Sequence, residues 1–416
     1  MTFPLPQTRR QFVYRSIAEQ RLQISSQTRP YCERVSERFP LHLTSDSEYR
    51  DVAKKAEKDL SADRVYPSAR KRKQMRNVIV YKKDGRFGGW PANHGIWSWD
   101  NEIVVGFAAG YLAKGPSSGL HKIDPTKPTV HMQARSTDGG TKWQAQEAPC
   151  LLPPKKKPAQ CSKSINFTHP DFALMATRSG VRAGATSWFY ISYDRCASWD
   201  GPYSLPMFGQ QGIAARTDYH IFDEHDCMLF LTATKSDGTE GRVFCARTKD
   251  SGMTWQFVSW IGPEPGGWSI MPSNVQLPDG RFLVALRRRE GTHNFIELFA
   301  SDNEGETWHL LSTPAPKVSL GRTFGNPPSM IRLSDGRLCL TYGYRAKPYG
   351  IRARLSYDDG ASWSKETILR ADAGSPDLGY PRTVQRPDGK IVTIYYFNDS
   401  ADAERYIAAT IWELNG

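Results

Sequence analysis

The feature that most constrains this chain is an eight-residue pattern that recurs at near-constant spacing. Its clearest copy is Ser356-Tyr357-Asp358-Asp359-Gly360-Ala361-Ser362-Trp363, and related copies begin at Ser136, Ser192, Thr248 and Ser301. The acidic position falls at 138, 194, 250, 303 and 358, so the intervals are 56, 56, 53 and 55 residues. Three substitutions interrupt the pattern: Asn303 at an acidic position, Cys196 at a glycine position and Lys142 at a Ser/Thr position. A period of this length means one supersecondary unit per repeat.

The chemistry of the pattern is that of a hairpin turn. Asp accepts hydrogen bonds from the backbone of its own turn, Gly takes the positive φ a tight turn needs, and Trp anchors the result. The runs before the copies alternate, as in Val130-His131-Met132-Gln133-Ala134-Arg135, which predicts half-exposed strands. Five equivalent aspartates suit scaffolding better than one catalytic or metal site. Between the copies lies a second kind of hairpin, such as Asn274 to Leu286 around Pro278-Asp279-Gly280, Met330 to Leu340 and Thr383 to Val392. Counting Gly95 to Phe107 in the first unit and weaker versions at Phe172 to Ile191 and Tyr219 to Leu231, there are six such hairpins for five Asp-containing turns. The last unit ends at Trp412 without a fourth strand, which Asn77 to Tyr81 is placed to supply.

These repeats resemble the Asp-box, or BNR, repeats of the sialidase superfamily over roughly residues 77–416. The resemblance implies an all-β, six-bladed propeller of four-stranded antiparallel blades. It also implies a glycan-active site of three arginines, a Tyr nucleophile with a Glu partner and an Asp acid/base. Arg287 fits one family arginine. Elsewhere the residues depart: Gly89 stands at the first arginine, Phe107-Ala108-Ala109-Gly110-Tyr111 lacks the Glu and Arg of its motif, Met271 stands near the Glu partner, and Pro327-Pro328-Ser329 occupies the Tyr-Ser-Ser segment.

In a propeller the ends of the inner strands converge on the central channel. That rule gives His94, Asp171, Asp218, Tyr344 and Tyr380 as candidate catalytic groups, and Arg216, Arg287, Arg345, Arg382, Trp90 and Asn326 as candidate substrate-binding groups. Arginine forks bind carboxylates and aromatic faces stack on sugar rings. The expected substrate is a carboxylate-bearing glycan, processed by an exo-acting glycoside hydrolase. Two alternatives stand beside it: a lyase for uronate-containing oligosaccharides using His94 as acid or base, and a noncatalytic glycan-binding propeller. No cofactor or metal is expected, since none of the seven cysteines has C-x-x-C spacing. Cys150 and Cys161 flank one loop and are placed to pair if the protein is exported.

Residues 1–76 form a basic arm, disordered or a degenerate export leader. They hold 17 Lys+Arg against 9 Asp+Glu, so +8 of the net +12 lies there and +4 in the rest. That distribution, with no nucleic-acid motif, argues against nucleic acid as a partner. No apolar run approaches the roughly 18 residues of a membrane span. Thr8-Arg9-Arg10-Gln11-Phe12-Val13 resembles a twin-arginine signal, which points to the periplasm or beyond. The charged Tyr14 to Arg21 that follows is not the apolar core such a signal needs, and a chance match leaves the protein in the cytoplasm.

Overall fold

The computed structural model describes residues 75–115, 120–148, 157–319 and 324–414. Nearly the whole basic arm, including Arg9-Arg10, lies outside the described residues, as do Cys150 and the 1–74 part of the domain boundary. The rest is a six-bladed β-propeller with one 3-10 turn.

The first blade is built from β2 to β6. β1 (Arg76–Tyr81) belongs to the last blade. β2 (Arg86–Gly89) and β3 (Ile96–Trp99) both pair with β4 (Glu102–Tyr111), at its far and near halves, so together they form one inner strand interrupted by the turn Pro91–Asn93. β5 (Val130–Ser136) and β6 (Gln144–Glu147) complete the blade.

Among the described residues the second blade has three strands, β7 (Ala173–Arg178), β8 (Ser187–Ser192) and β9 (Asp200–Ser204), with Ala159 bridged to Tyr203 at the outer edge. The third is β10 (Tyr219–Ile221), β11 (Cys227–Thr234), β12 (Glu240–Thr248) and β13 (Gln256–Trp260); the fourth is β14 (Trp268–Gln276), β15 (Phe282–Glu290), β16 (His293–Ser301) and β17 (His309–Ala315). The fifth is β18 (Pro328–Arg332), β19 (Leu338–Tyr344), β20 (Gly350–Ser356) and β21 (Thr367–Arg370). The sixth is β22 (Gly379–Gln385), β23 (Ile391–Phe397) and β24 (Tyr406–Trp412), closed by β1 with Asn77 opposite Thr410.

The core consists of layers between blades. Successive residues of a strand point to opposite faces, so Val104 packs with Met175 and Trp188 of blade two while Val105 packs with Ile394 and Ile407 of blade six. Likewise Phe282 joins the layer toward blade three and Leu283 the layer toward blade five. Each central strand therefore reads as a continuous apolar run, because both of its faces are buried.

The Asp boxes lock the turns at one end of this ring. In the last copy Ser356 Oγ accepts from Gly360 N at 2.7 Å, and Asp358 Oδ1 accepts from Ser362 N at 2.8 Å. Gly360 has φ 89°, which glycine adopts without strain. The Trp363 indole then donates to Ser312 Oγ of the preceding blade at 3.2 Å, and Trp308 does the same to Ser259 at 3.0 Å. The boxes thus hold neighbouring blades together as well as closing hairpins. Where Cys196 replaces glycine the backbone still takes φ 66°, and Gln133 Nε2 donates to its carbonyl at 2.7 Å.

β1 is the strand that closes the ring, and without it β24 presents an unpaired edge. A protein lacking residues 1–70 is expected to unfold in one cooperative thermal transition, followed by circular dichroism. One lacking residues 1–82 is expected to melt earlier and to aggregate by light scattering.

Candidate active site

The inner strands do not run smoothly past the channel. Trp90, Met271 and Tyr380 have φ of 61°, 55° and 53°, in the left-handed region that non-glycine residues rarely occupy. Pairing slips at the last two, between Ile270 and Ser273 and between Gly379 and Arg382. Met271 and Tyr380 join one packed cluster, with Trp90 and Trp268 against it. Such conformations cost about 1–3 kcal/mol each and persist where surrounding contacts over-determine them, which happens most often at functional sites.

The Tyr380 bulge is fixed from blade five. Asn326 Oδ1 accepts from Tyr380 N at 2.7 Å, and its Nδ2 donates to Leu378 O at 3.1 Å. Gly379, with φ 105°, lies so close to Asn326 that a Cβ there would sit 2.1 Å from Oδ1. Arg345 holds the same corner. Its Nε and Nη2 donate to Leu378 O, Nη1 to Phe324 O and Gly325 O, and Nη2 also to Tyr396 OH at 2.8 Å. All five of its N–H groups are thereby engaged within the protein.

Arg287 is different. It is buried, its Nη1 donates to Tyr380 OH at 3.0 Å and touches Met271 Sδ at 3.4 Å, and its Nε has no partner among the described residues. The guanidinium lies over the Trp268 ring at 4.9 Å. Burial opposes ionisation of Tyr380, but the positive field of Arg287, Arg345 and Arg216, with the Arg287 hydrogen bond, outweighs it and holds the phenol below its ordinary range. A fully buried tyrosine with a lowered pKa needs such a concentration of positive charge.

Beside it stands a carboxylate network centred on Asp377. Asp377 accepts from Arg405 Nε at 2.8 Å, Lys122 N at 2.9 Å and Tyr396 OH at 2.9 Å, and meets His121 Nδ1 at 2.8 Å. Burial pushes Asp377 up, but His121, Arg405 and the backbone donor hold it down at about 2. His121 reaches this blade-six position from the long β4–β5 loop of blade one, and its ring lies 6.1 Å from Tyr380.

The remaining candidates divide between this cluster and other levels of the ring. Arg216 donates to Glu240 at 2.5 Å and to Asn93 Oδ1 at 3.1 Å. Arg382 is a buried strut whose Nη2 donates to Ala92 O at 2.8 Å and Thr217 O at 2.5 Å, joining blades six, one and three. Asp218 is buried and bonded to Asn274, and its Oδ2 has no partner among the described residues; burial outweighs Arg382 and Asn274 and raises it to about 6. His94 is buried edge-to-face on His131, with ring centroids 4.3 Å apart, and burial first, then His131, Arg178 and Arg382, hold it well below its ordinary pKa. Its hydrogen bonds join it to Pro91 and Thr217 rather than to Tyr380 or Arg287. Tyr344 packs under Arg352 at 5.0 Å.

The structure does not bring Asp171 to this cluster. Its carboxylate pairs with Arg195 of the second Asp box at 2.5 Å, at the box-bearing end of the ring. The reason is topological. The box follows β8 directly, so β7 and β8 are the second and third strands of their blade, and β7 runs toward the channel mouth instead of away from it. Arg178, at the end of β7, is the residue this places inside. It donates to Ala215 O at 3.0 Å, and burial, then Arg216, lower it to about 9. At Gly89, where the sialidase resemblance places an arginine, a Cβ would meet the Phe87 ring at 2.4 Å. Among the described residues no group of three His, Cys, Asp or Glu is placed to hold a metal ion.

The family model described as BNR repeat-like domain matches residues 134–393. No curated protein matches the chain by sequence. Among solved structures, a protein of unknown function from Dyadobacter fermentans is similar with a TM-score of 0.63 and 22% identity, covering 82% of this chain and 99% of that one. The NanB sialidase of Streptococcus pneumoniae gives 0.55 at 13% identity over 81% and 70%. An α-L-arabinanase of Penicillium chrysogenum gives 0.53 at 12% identity over 82% and 99%. At these identities the likeness is one of fold.

Two stability predictions follow from the buried carboxylates. Asp377→Ala leaves Arg405 buried without its ion pair and should cost about 3–5 kcal/mol in denaturant unfolding. The pH dependences have opposite signs. Asp377 has a lowered folded pKa, so its contribution is lost as pH falls from about 4 to about 2. Asp218 has a raised one, so stability falls as pH rises from about 4 to about 6, and Asp218→Asn should remove that decline.

Proposed function

The chain belongs to the BNR repeat-like family, and from that premise we propose that it is a glycoside hydrolase for a glycan bearing a carboxylated sugar. Arg287 receives the carboxylate, and Tyr380 attacks the anomeric carbon. The observation that carries this reading is the Tyr380–Arg287 contact of 3.0 Å on a strained inner-strand bulge, inside a field that favours the phenolate.

Each part follows from the donor arithmetic. Arg345 and Arg382 spend their hydrogen bonds largely on backbone carbonyls and act as supports that also supply charge. Arg287 and Arg382 each have a buried Nε with no partner among the described residues, but of the three only Arg287 combines this with a weak sulfur contact and a hydrogen bond to Tyr380. A carboxylate set there replaces poor contacts with charge-assisted ones. Trp268 and Trp90 flank the same cluster and offer ring faces to a sugar. A tyrosine held ready to ionise can form a covalent glycosyl intermediate, one of the exceptions to the usual pair of carboxylates in glycosidases.

A second reading, β-elimination from a uronate, is favoured by two observations. Met271 rather than a carboxylate adjoins Arg287, and no carboxylate hydrogen-bonds to Tyr380 among the described residues. In that chemistry Tyr380 removes the proton α to a carboxylate neutralised by Arg287. The products separate the readings: hydrolysis gives a free reducing sugar, elimination an unsaturated uronate that absorbs in the ultraviolet, and a binding propeller gives neither.

Screening acidic oligosaccharides for both products tests the proposal. Arg287→Ala should weaken binding of an acidic oligosaccharide by roughly 2–5 kcal/mol in calorimetry. Tyr380→Phe should abolish turnover while binding persists, and ordinary sialosides should be cleaved slowly or not at all. Full turnover by Tyr380→Phe, or formation of neither product by the wild type, would overturn it.

A further inference from the structure

We propose that His121, oriented by Asp377, is the proton-transfer residue of this site: it protonates the departing glycosidic oxygen and then takes the proton from the attacking water. This assignment rests on the hydrolase reading of Tyr380.

The geometry selects one ring nitrogen for the chemistry. Asp377 is bound by Arg405, Lys122 N and Tyr396 OH, so it stays ionised and can only accept. His121 Nδ1, 2.8 Å from Asp377 Oδ1, must therefore carry a proton and donate it to the carboxylate. The Trp90 indole N–H also points at Nδ1, at 3.4 Å, but cannot donate to a nitrogen that is itself a donor. The shorter, charge-assisted contact decides the tautomer, and Trp90 is an edge-on ring neighbour at 5.2 Å. That makes Nε2 the nitrogen that gains and loses a proton.

Placement supports the role. Tyr380, Tyr396 and Trp90 surround the imidazole, so it stands beside the proposed nucleophile and on a different blade's loop. A residue that only capped Asp377 would be superfluous there, because three other donors already hold that carboxylate. The charged groups facing His121 are Asp377, Arg345 and Arg287, and Tyr380 and Tyr396 are the titratable ones. Burial comes first in lowering its pKa, and both arginines add to it, whereas Asp377 opposes them. Asp377, held at about 2, cannot itself deliver the proton.

The step balances. The Tyr380 phenolate forms a bond to the anomeric carbon as the carbon–oxygen bond to the leaving group breaks, and the Nε2 proton of the imidazolium goes to the departing oxygen. Water then adds to the same carbon, gives its proton to neutral Nε2, and releases Tyr380 as phenolate. His121 is thus the catalytic residue of proton transfer and Asp377 a positioning residue.

The test compares 4-nitrophenyl and methyl glycosides of glucuronic, galacturonic and N-acetylneuraminic acid. Nitrophenolate leaves without protonation, whereas methoxide does not. His121→Ala should lose about 100-fold or more on the methyl glycoside. On the nitrophenyl glycoside it should keep the first step nearly intact, and azide, which needs no base, should restore turnover. The limb of the pH–rate profile that falls as His121 loses its proton should vanish in the variant. Tyr380→Phe should be inactive on both substrates without azide rescue; activity there, or no cleavage of any glycoside by the wild type, overturns the hydrolase reading. With that reading intact, equal losses on both leaving groups, no azide rescue or no loss at all would overturn the role of His121. Nitrogen-15 spectra of histidine-labelled protein give a readout apart from activity: Nδ1–H is expected for His121, and the Nε2–H tautomer contradicts the assignment.

Discussion

Everything in this molecule depends on the closure of a ring in which no blade has a solvent-facing side. Each central strand alternates between two neighbours, as Val104 and Val105 do, so hydrophobic burial lies between the blades and the polar chemistry is displaced to the axis. There the inner strands bring buried arginines within reach of one another. Their charge must be met by carbonyls, carboxylates or phenols, since an unpaired buried charge is costly. At the same level Met271 and Tyr380, both in left-handed backbone conformations, pack in one apolar cluster with Trp90 against it.

How each arginine is met decides what it can do. Arg345 is saturated by carbonyls and Tyr396, and Arg382 ties three blades together, so both stiffen the channel while keeping its field positive. Arg287 retains donor capacity and shares its field with Tyr380. The same field that lowers the phenol would attract a carboxylate, so in the proposed function recognition and activation draw on one source. Asp377 is held apart from this pair by its own donors, chiefly Arg405 and the Lys122 backbone, and stays ionised beside His121.

Much of the fold was legible in the sequence because it is set by local chemistry. Asp, Gly and Trp at fixed offsets specify the box whatever surrounds it, and five copies plus one unfinished unit lead to six blades. The site was less legible, because strand direction depends on counting strands between boxes. Among the described residues blade two has no inner strand before its β7–β8 hairpin, so that hairpin runs straight into the box, and this single omission moved Asp171 to the box end and hid Arg178. The signal was present in the short interval between Phe172 and Ser192. Tyr380 and Arg287 could be named as candidates because they flank inner strands with clear hairpins, although which of the tyrosines meets Arg287 needed three dimensions. His121 had no such marker: it lies in a long loop without strand periodicity, and its partner Asp377 is 256 residues away.

The central claim is that the arginine field, led by Arg287, holds the Tyr380 phenol ready to ionise despite its burial. Carbon-13 spectra of protein labelled at tyrosine Cζ, recorded against pH for the wild type and for Arg287→Ala, measure this directly once Tyr380→Phe has assigned the resonance. The account predicts that Tyr380 titrates below an ordinary tyrosine in the wild type and moves upward when Arg287 is removed. A Tyr380 resonance that titrates at or above the ordinary range in the wild type, or is unmoved by loss of Arg287, would contradict it.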